Sequence, residues 1–318
     1  MGLPGLERTG TLGRMAEIWD CIVVGGGAAG LSAGLVLGRS RRKTFLIDAG
    51  EQSNLPAAGI GGLLGHDGRP PADLYEIGRS ELASYGVQIR SGEVTDISRV
   101  DEDFVVRSAD GANERTRRVL LTTGMAYLPP ELPGLAPLWG RSVFHCPFCH
   151  GWEVADQPLA VLARGEKAVQ LSLLLRCWSD DIVLLADGSA DLADAGRARL
   201  AGAGVEVDER PVAALDAADG ELSAVVFADG SRLPRRGLLV ATGTRQRDRL
   251  AAQLGVDITA PSPVAQDPIG VDPLYRTSVP GVFAAGDLTG EMPQVAVAIA
   301  AGARAAVAVV QSLAVGDV

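Results

Sequence analysis

Cys21-Ile22-Val23-Val24-Gly25-Gly26-Gly27-Ala28-Ala29-Gly30 decides the fold of this chain. Its first four residues are apolar and rich in β-branched side chains, the signature of a short strand buried on both faces. The glycines at 25, 27 and 30 follow as G-x-G-x-x-G, and a helical pattern runs over residues 31–39. A second apolar strand, Thr44-Phe45-Leu46-Ile47, ends at Asp48, 18 residues beyond Gly30. This is a βαβ unit built for a dinucleotide. Gly25 permits the tight turn, Gly27 lets backbone approach a pyrophosphate, and Gly30 lets helix and strand pack closely. Ala28 and Ala29 open the helix, whose free N–H groups meet the phosphates. Asp48 is placed to accept hydrogen bonds from a ribose diol, with Ala49, Gly50 and Gln52 on the turn behind it. Chance glycines would not come in register with strand, helix, strand and acid.

The chain has 318 residues, room for two domains with real cores. Hydrophobic residues make up 47% and charged residues 21%, as in ordinary soluble globular proteins. A net charge of −10 argues against nucleic acid or an anionic membrane as partner, since both repel an acidic surface. Four cysteines are too few for a disulfide scaffold, so the expected compartment is the cytoplasm. Residues 1–16 lack an apolar signal core, and residues 1–18 read as a loose extension ahead of the fold, with Met15 a possible start. The Ala-rich apolar run over 295–315 is interrupted by Arg304 and Gln311 and reads as a helix packed on a sheet rather than a membrane span.

A second informative stretch is Cys146-Pro147-Phe148-Cys149-His150-Gly151. Two cysteines at this spacing can close a small reversible disulfide, each thiol serving as attacker or leaving group for the other. His150 is a proton carrier in reach of a thiol, and His145 is placed to tune Cys146. The competing reading is half of a zinc site. A second C-x-x-C is missing, Cys21 and Cys177 stand alone, and the two histidines adjoin the cysteines too closely for easy tetrahedral ligation. No metal is therefore expected, and electrons are expected to move between a dithiol and a flavin. Cys21 and Cys177 are taken as core thiols, and Trp152 and Glu153 as structural. His66, in Leu64-Gly65-His66-Asp67-Gly68, sits on a glycine-rich loop that reads equally as part of a cleft or as plain surface.

Between these landmarks a polar loop covers residues 54–71 and a helix is predicted over 72–85. Leu120-Leu121-Thr122-Thr123-Gly124 ends an apolar strand, and Leu238-Leu239-Val240-Ala241-Thr242-Gly243 echoes it. Thr123 and Gly124 suit a place where backbone passes close to a cofactor. Between the echoes lie a strand over 159–162, a helix over 168–178 and a strand over 181–185. The chain then returns with a strand over 281–285, the turn Gly286-Asp287 and a helix from Pro293. The fold class is α/β, with two Rossmann-like three-layer dinucleotide-binding domains, the second inserted into the first. The first comprises 19–124 and 245–318, and the second 125–244.

This layout resembles the two-domain flavoprotein disulfide reductases of the low-molecular-weight thioredoxin reductase type, over nearly the whole chain from Cys21. In that family the first fingerprint binds FAD, and the aspartate of the Gly286-Asp287 motif contacts the ribityl-pyrophosphate region. The resemblance puts Gln294 and Val295 at the start of a helix near the isoalloxazine, where a positive helix end favours the reduced anionic ring. Cys146-Pro-Phe-Cys-His-Gly-Trp-Glu153 is most similar to the branch of FAD-dependent dithiol oxidases that close disulfides in gliotoxin and holomycin. Arg176-Cys-Trp-Ser-Asp-Asp181 resembles that branch too. The resemblance makes Cys146 the exchange cysteine and Cys149 the one facing the flavin, and it implies a homodimer.

The inserted domain departs from the reductase pattern. Where thioredoxin reductases carry G-x-G-x-x-A for NADPH, this chain reads Ala163-Arg164-Gly165-Glu166-Lys167-Ala168. A β-carbon at 163 crowds the turn if φ is positive, and Glu166 opposes a phosphate. The arginine pair for a 2′-phosphate is replaced by Ala186-Asp187-Gly188, where Asp187 repels that phosphate but suits a ribose diol. NADPH is therefore not expected as a cofactor. Electrons then enter from a small-molecule dithiol and leave to O2, giving H2O2. The alternatives are an NAD(P)H-dependent disulfide reductase and, in a different class, a flavin redox sensor without significant turnover.

Overall fold

The computed structural model describes residues 18–316. Of the extension expected over 1–18, residues 1–17 lie outside the described residues, and Ile18 already belongs to the first strand.

The first sheet runs in the order Gln88–Ser91, Thr44–Asp48, Ile18–Val24, Asn113–Leu121, Asp103–Ser108, Val94–Val100, and Val282–Ala284 also pairs with Asn113–Leu121. Ile18–Val24 is parallel to both neighbours, with Cys21 opposite Thr44 on one side and Arg118 on the other. The apolar run Cys21–Val24 is the consequence of burial on both faces. Cys21 and Val23 join Leu31, Leu37, Leu82 and Ala305 beneath the helices. Ile22 and Val24 point the other way, into a core with Phe104, Val106 and Leu250. The helices are Ala28–Arg39, Pro71–Ser84 and Val295–Val315. Pro71 suits the first turn of its helix, where its missing N–H costs nothing. Val295–Val315 is long and apolar enough to cross a membrane by length and composition. One face of it, Ala301, Gly302, Ala305, Ala306, Ala308 and Val309, is buried in the protein.

A second, all-parallel sheet orders Glu206–Asp208, Ile182–Leu185, Leu159–Leu162, Gly237–Val240, Val143–Phe144. The antiparallel strands Val212–Ala218, Glu221–Phe227 and Arg232–Pro234 form a third sheet, whose Leu215, Leu222 and Val225 pack with Leu238 and Val240 of the second. Where the chain passes from the first sheet to the second and back, Met125–Tyr127 pairs antiparallel with Thr244–Gln246. The helix expected over 168–178 is found at Gly165–Leu175.

Candidate active site

One cleft of about 710 Å³ runs from the glycines at 25–27 to the cysteine pair. At the glycine end the first strand breaks at Gly25 with φ +109°, where a Cβ would lie 2.4 Å from the Thr122 carbonyl oxygen. A Cβ on Gly30 would lie 1.9 Å from the Gly25 oxygen, so only glycine lets the helix sit this close to the turn. Gly27 caps the helix Ala28–Arg39 without a side-chain hydrogen bond, leaving first-turn N–H groups for a ligand. Gly25, Gly27, Ala28 and Ala29 line the cleft, and Gly30 stands behind them.

Asp48 is buried at the end of its strand. Its Oδ1 accepts N–H from Gly26 at 3.2 Å and from Gly50 at 2.9 Å, and Gln52 donates its amide to the same oxygen at 2.9 Å. Gln52 is the side-chain donor that a ribose hydroxyl would displace from Asp48. Ala49, Thr123, Gly124, Gly286, Asp287, Gln294 and Val295 also line the cleft, whereas Gly50 does not. Asp287 accepts no hydrogen bond from another side chain among the described residues, and burial raises its pKa to about 6 against the pull of Arg247. A buried carboxyl group in a cleft with no side-chain hydrogen bond among the described residues fits a ligand hydroxyl. The glycine cradle, the acid at the strand end and Asp287 together fit a dinucleotide whose ring reaches the cysteine pair.

At the other end, the strand Val143–Phe144 feeds His145 and Cys146 into the short helix Pro147–His150. Cys146 and Cys149 form a disulfide with Cα atoms 5.4 Å apart. Cys149, His145, Phe148 and His150 line the cleft, and Cys146, half-buried, does not. The loop over 59–63 forms part of the facing wall. A Cβ on Gly61 would lie 2.6 Å from the Cys149 carbonyl oxygen, so this wall reaches the disulfide segment only because residue 61 is glycine. His145 packs against Tyr127 at 4.2 Å and Trp139 at 5.8 Å between ring centroids. Burial there, and then the neighbouring His150, lower its pKa to about 4. Burial lowers the pKa of His150 as well, with its ring 5.7 Å from that of Phe144. Both imidazoles are therefore neutral at pH 7, and burial makes His145 the weaker base.

The second fingerprint takes a different form. Ala163 keeps φ negative, and Gly165 takes the left-handed turn at φ +63°. The crowding expected at Ala163 does not arise, because the turn has moved two residues on. Arg164 crosses this turn. Its Nε donates to the Ala186 carbonyl at 2.7 Å, and its guanidinium lies 3.6 Å from the Asp187 carboxylate. Asp187 Oδ1 also accepts the Val212 N–H at 2.8 Å, so the acid that suited a ribose diol is committed within the chain. Glu166 pairs with Arg199 at 3.3 Å, and Lys167 Nζ donates to the Thr242 carbonyl at 3.2 Å.

Several other expectations resolve here. Cys21 is buried, which raises its thiol pKa and keeps it protonated. Cys177 is exposed and is not a core thiol, because it lies beyond the helix Gly165–Leu175 and turns outward. Trp152 is 82% exposed, so it does not serve as a packed structural side chain. His66 stands outside the cleft, although Gly59–Leu63 of the same loop line it. Sequence reasoning missed Tyr127, Trp139, Phe148 and Arg247, which come from four separate segments. The aromatic character of Phe148 inside the C-x-x-C was the one available signal. Its ring meets Trp178 edge-on at 5.5 Å.

The profile described as pyridine nucleotide-disulphide oxidoreductase matches residues 19–302. Thioredoxin reductase sirT of Leptosphaeria maculans is 32% identical over 306 residues, 91% of this chain and 92% of that protein. Thioredoxin reductase tcpT of Claviceps purpurea is 30% identical over 283 residues, 86% of this chain and 87% of that protein. Among solved structures, HlmI superposes with a TM-score of 0.88 at 39% identity, over 93% of each chain. An oxidoreductase from Agrobacterium tumefaciens gives 0.88 at 32% identity, over 95% of this chain and all of that one.

Proposed function

The chain belongs to the pyridine nucleotide-disulphide oxidoreductase family and is a thioredoxin reductase-like oxidoreductase, and from that premise we propose that it oxidises a small-molecule dithiol to a disulfide, with O2 as final acceptor. The observation that carries this direction is the Arg164–Asp187 pair across the second fingerprint, beside an open first cleft that ends at Cys149. On this reading a nicotinamide donor must displace that half-exposed pair, and electrons enter through the cysteines instead.

One substrate thiolate attacks Cys146 Sγ and breaks the Cys146–Cys149 bond, so Cys149 leaves as thiolate. The second substrate thiolate attacks the substrate sulfur of the mixed disulfide and releases Cys146. The substrate has lost two electrons and two protons, and the enzyme pair has gained the electrons. The neutral imidazole of His150 relays the protons toward solvent, while His145, its pKa lowered to about 4 by burial, is too weak a base to keep one at neutral pH. Gly25, Gly27, Asp48, Asp287 and the helix start at Gln294 would hold FAD, which when bound supplies a two-electron acceptor for the Cys146/Cys149 dithiol and a donor to O2, released as H2O2. Cys149, which lines the cleft, hands over the electrons, and Cys146 serves the substrate. This reading takes 19–124 with 245–318 as the cofactor domain and 125–244 as the inserted one. It also takes the protein to be a cytoplasmic homodimer without nucleic-acid or membrane partners.

The likeness to two thioredoxin reductases favours a second reading, a disulfide reductase fed by a pyridine nucleotide. Anaerobic flavin spectra separate the two. Bleaching by a dithiol, with recovery and peroxide on admitting air, supports the oxidase. Rapid bleaching by NADPH or NADH, with none by dithiol, supports the reductase.

A further inference from the structure

The charge of the cleft is lopsided. Among its lining side chains Asp48, Glu51, Glu93, Asp248 and Asp287 carry carboxyl groups, and Arg247 is the one Lys or Arg. A dinucleotide adds a negatively charged diphosphate to this acidic surface. The start of helix Ala28–Arg39 offers only a partial positive charge. A full charge with several N–H donors suits a phosphate better.

Arg247 follows directly on the return strand Thr244–Gln246. Its Nη2 donates to Ser53 Oγ at 2.9 Å, and Ser53 Oγ donates on to the Met125 carbonyl at 3.0 Å. These bonds hold the guanidinium between the turn after Asp48 and the start of the strand Met125–Tyr127. Burial raises the pKa of both Asp287 and Tyr127, and the Arg247 charge opposes that rise in each. Its ion pair with Glu51 is loose, at 3.7 Å, and the Glu51 side chain is 77% exposed. A pair of that kind is weakened by water and salt and gives way easily to a better anion.

We propose that Arg247 is the counter-charge for the diphosphate of the bound dinucleotide, exchanging Glu51 for phosphate when the cofactor enters. The assignment rests on FAD being that dinucleotide.

The test is FAD release from the purified holoenzyme, read as the rise of free-flavin fluorescence after dilution into about 0.1 M and about 0.5 M NaCl. Arg247→Gln is expected to release FAD about tenfold faster than the unaltered enzyme at the lower salt, with a flatter salt dependence. Arg247→Lys keeps the charge and is expected to stay within about threefold. Glu51→Gln removes the competing carboxylate from an exposed position and is expected to slow release. Ser53→Ala keeps the charge and is expected to change the rate less than threefold. Equal release from Arg247→Gln and the unaltered enzyme overturns the assignment. So does a Ser53→Ala variant as leaky as Arg247→Gln, which makes Arg247 a strut. If Arg247→Gln fails to fold, Glu51→Gln decides alone, and release no slower than normal overturns the assignment. An unaltered protein that purifies without flavin rejects the FAD reading beneath it.

Discussion

Arg164 and Asp187 close on each other at the second fingerprint, with the guanidinium 3.6 Å from the carboxylate and Nε on the neighbouring Ala186 carbonyl at 2.7 Å. By strand register Arg164 stands where Gly26 stands in the first βαβ unit, and Asp187 lies one residue beyond Ala186, the equivalent of Asp48. There, Gly26 and Asp48 leave a cleft between strand end and helix start. Here, the half-exposed Arg164 side chain lies across the equivalent turn. NADPH should therefore reduce the flavin slowly. Replacing Arg164 by Gly and Asp187 by Arg removes that side chain and supplies a 2′-phosphate partner. We expect the double variant to bleach the flavin at least about tenfold faster with NADPH than the unaltered enzyme, measured anaerobically by stopped flow. No gain in rate means that the pair is not what limits nucleotide use.

The division of labour between the cysteines makes a second expectation. Cys149→Ser and Cys146→Ser should each lower dithiol turnover by about 10³-fold or more while the protein stays yellow. In the reduced enzyme Cys146, outside the cleft, should be alkylated by iodoacetamide faster than Cys149. Mass spectrometry of the peptide around residues 146–149 reads both rates. Preferential labelling of Cys149 reverses the assigned roles.

The histidines set the pH dependence. Burial lowers the folded pKa of His145 to about 4 and of His150 below the ordinary value of 6.5. Each is a base only when neutral, so proton uptake is complete near neutrality and fails as pH falls through the folded value. The acid limb of kcat/KM should lie below about pH 6.5. The same shifts affect stability. Between pH 6.5 and about 4 the unfolded chain binds protons that the folded His145 refuses. Stability therefore rises with pH across that window and levels off above it. Urea midpoints taken from pH 4 to pH 7.5 should show this slope, and His145→Asn should flatten it. An unchanged slope in His145→Asn places the linkage elsewhere.

Gly61 carries a fourth expectation. A Cβ there would press to 2.6 Å against the Cys149 carbonyl oxygen. Gly61→Ala must push the disulfide segment and the loop apart. Neither the glycine cradle nor Asp48 is touched, so FAD content should hold. Anaerobic bleaching by dithiol should slow by about tenfold or more, because transfer to the ring depends on the placement of Cys149. Normal bleaching in Gly61→Ala would show that the loop yields without moving the cysteine.

Local chemistry made much of this protein legible in its sequence. The run Cys21–Gly30 and Asp48 specify a strand, a turn that needs glycine and an acid at a strand end, and all of these are set within about thirty residues. The pairing of Cys146 with Cys149 is equally local, since two intervening residues bring the sulfurs within reach. Cys177 and Trp152 were misread for the opposite reason: apolar character alone does not say which side of an element faces the protein.

What the tertiary structure decided are contacts between residues far apart in the chain. Tyr127 meets His145 across 18 positions and helps bury it, and burial, with His150, keeps that imidazole neutral. Gly61 meets Cys149, and Arg247 meets Ser53 across 194 positions. Asp187 was open to a ribose in the sequence and has Arg164 and Val212 as partners in the fold. A motif records which groups a segment can offer. Whether another segment has already taken them depends on packing, because a buried charge or hydrogen-bonding group must find its partner within the protein.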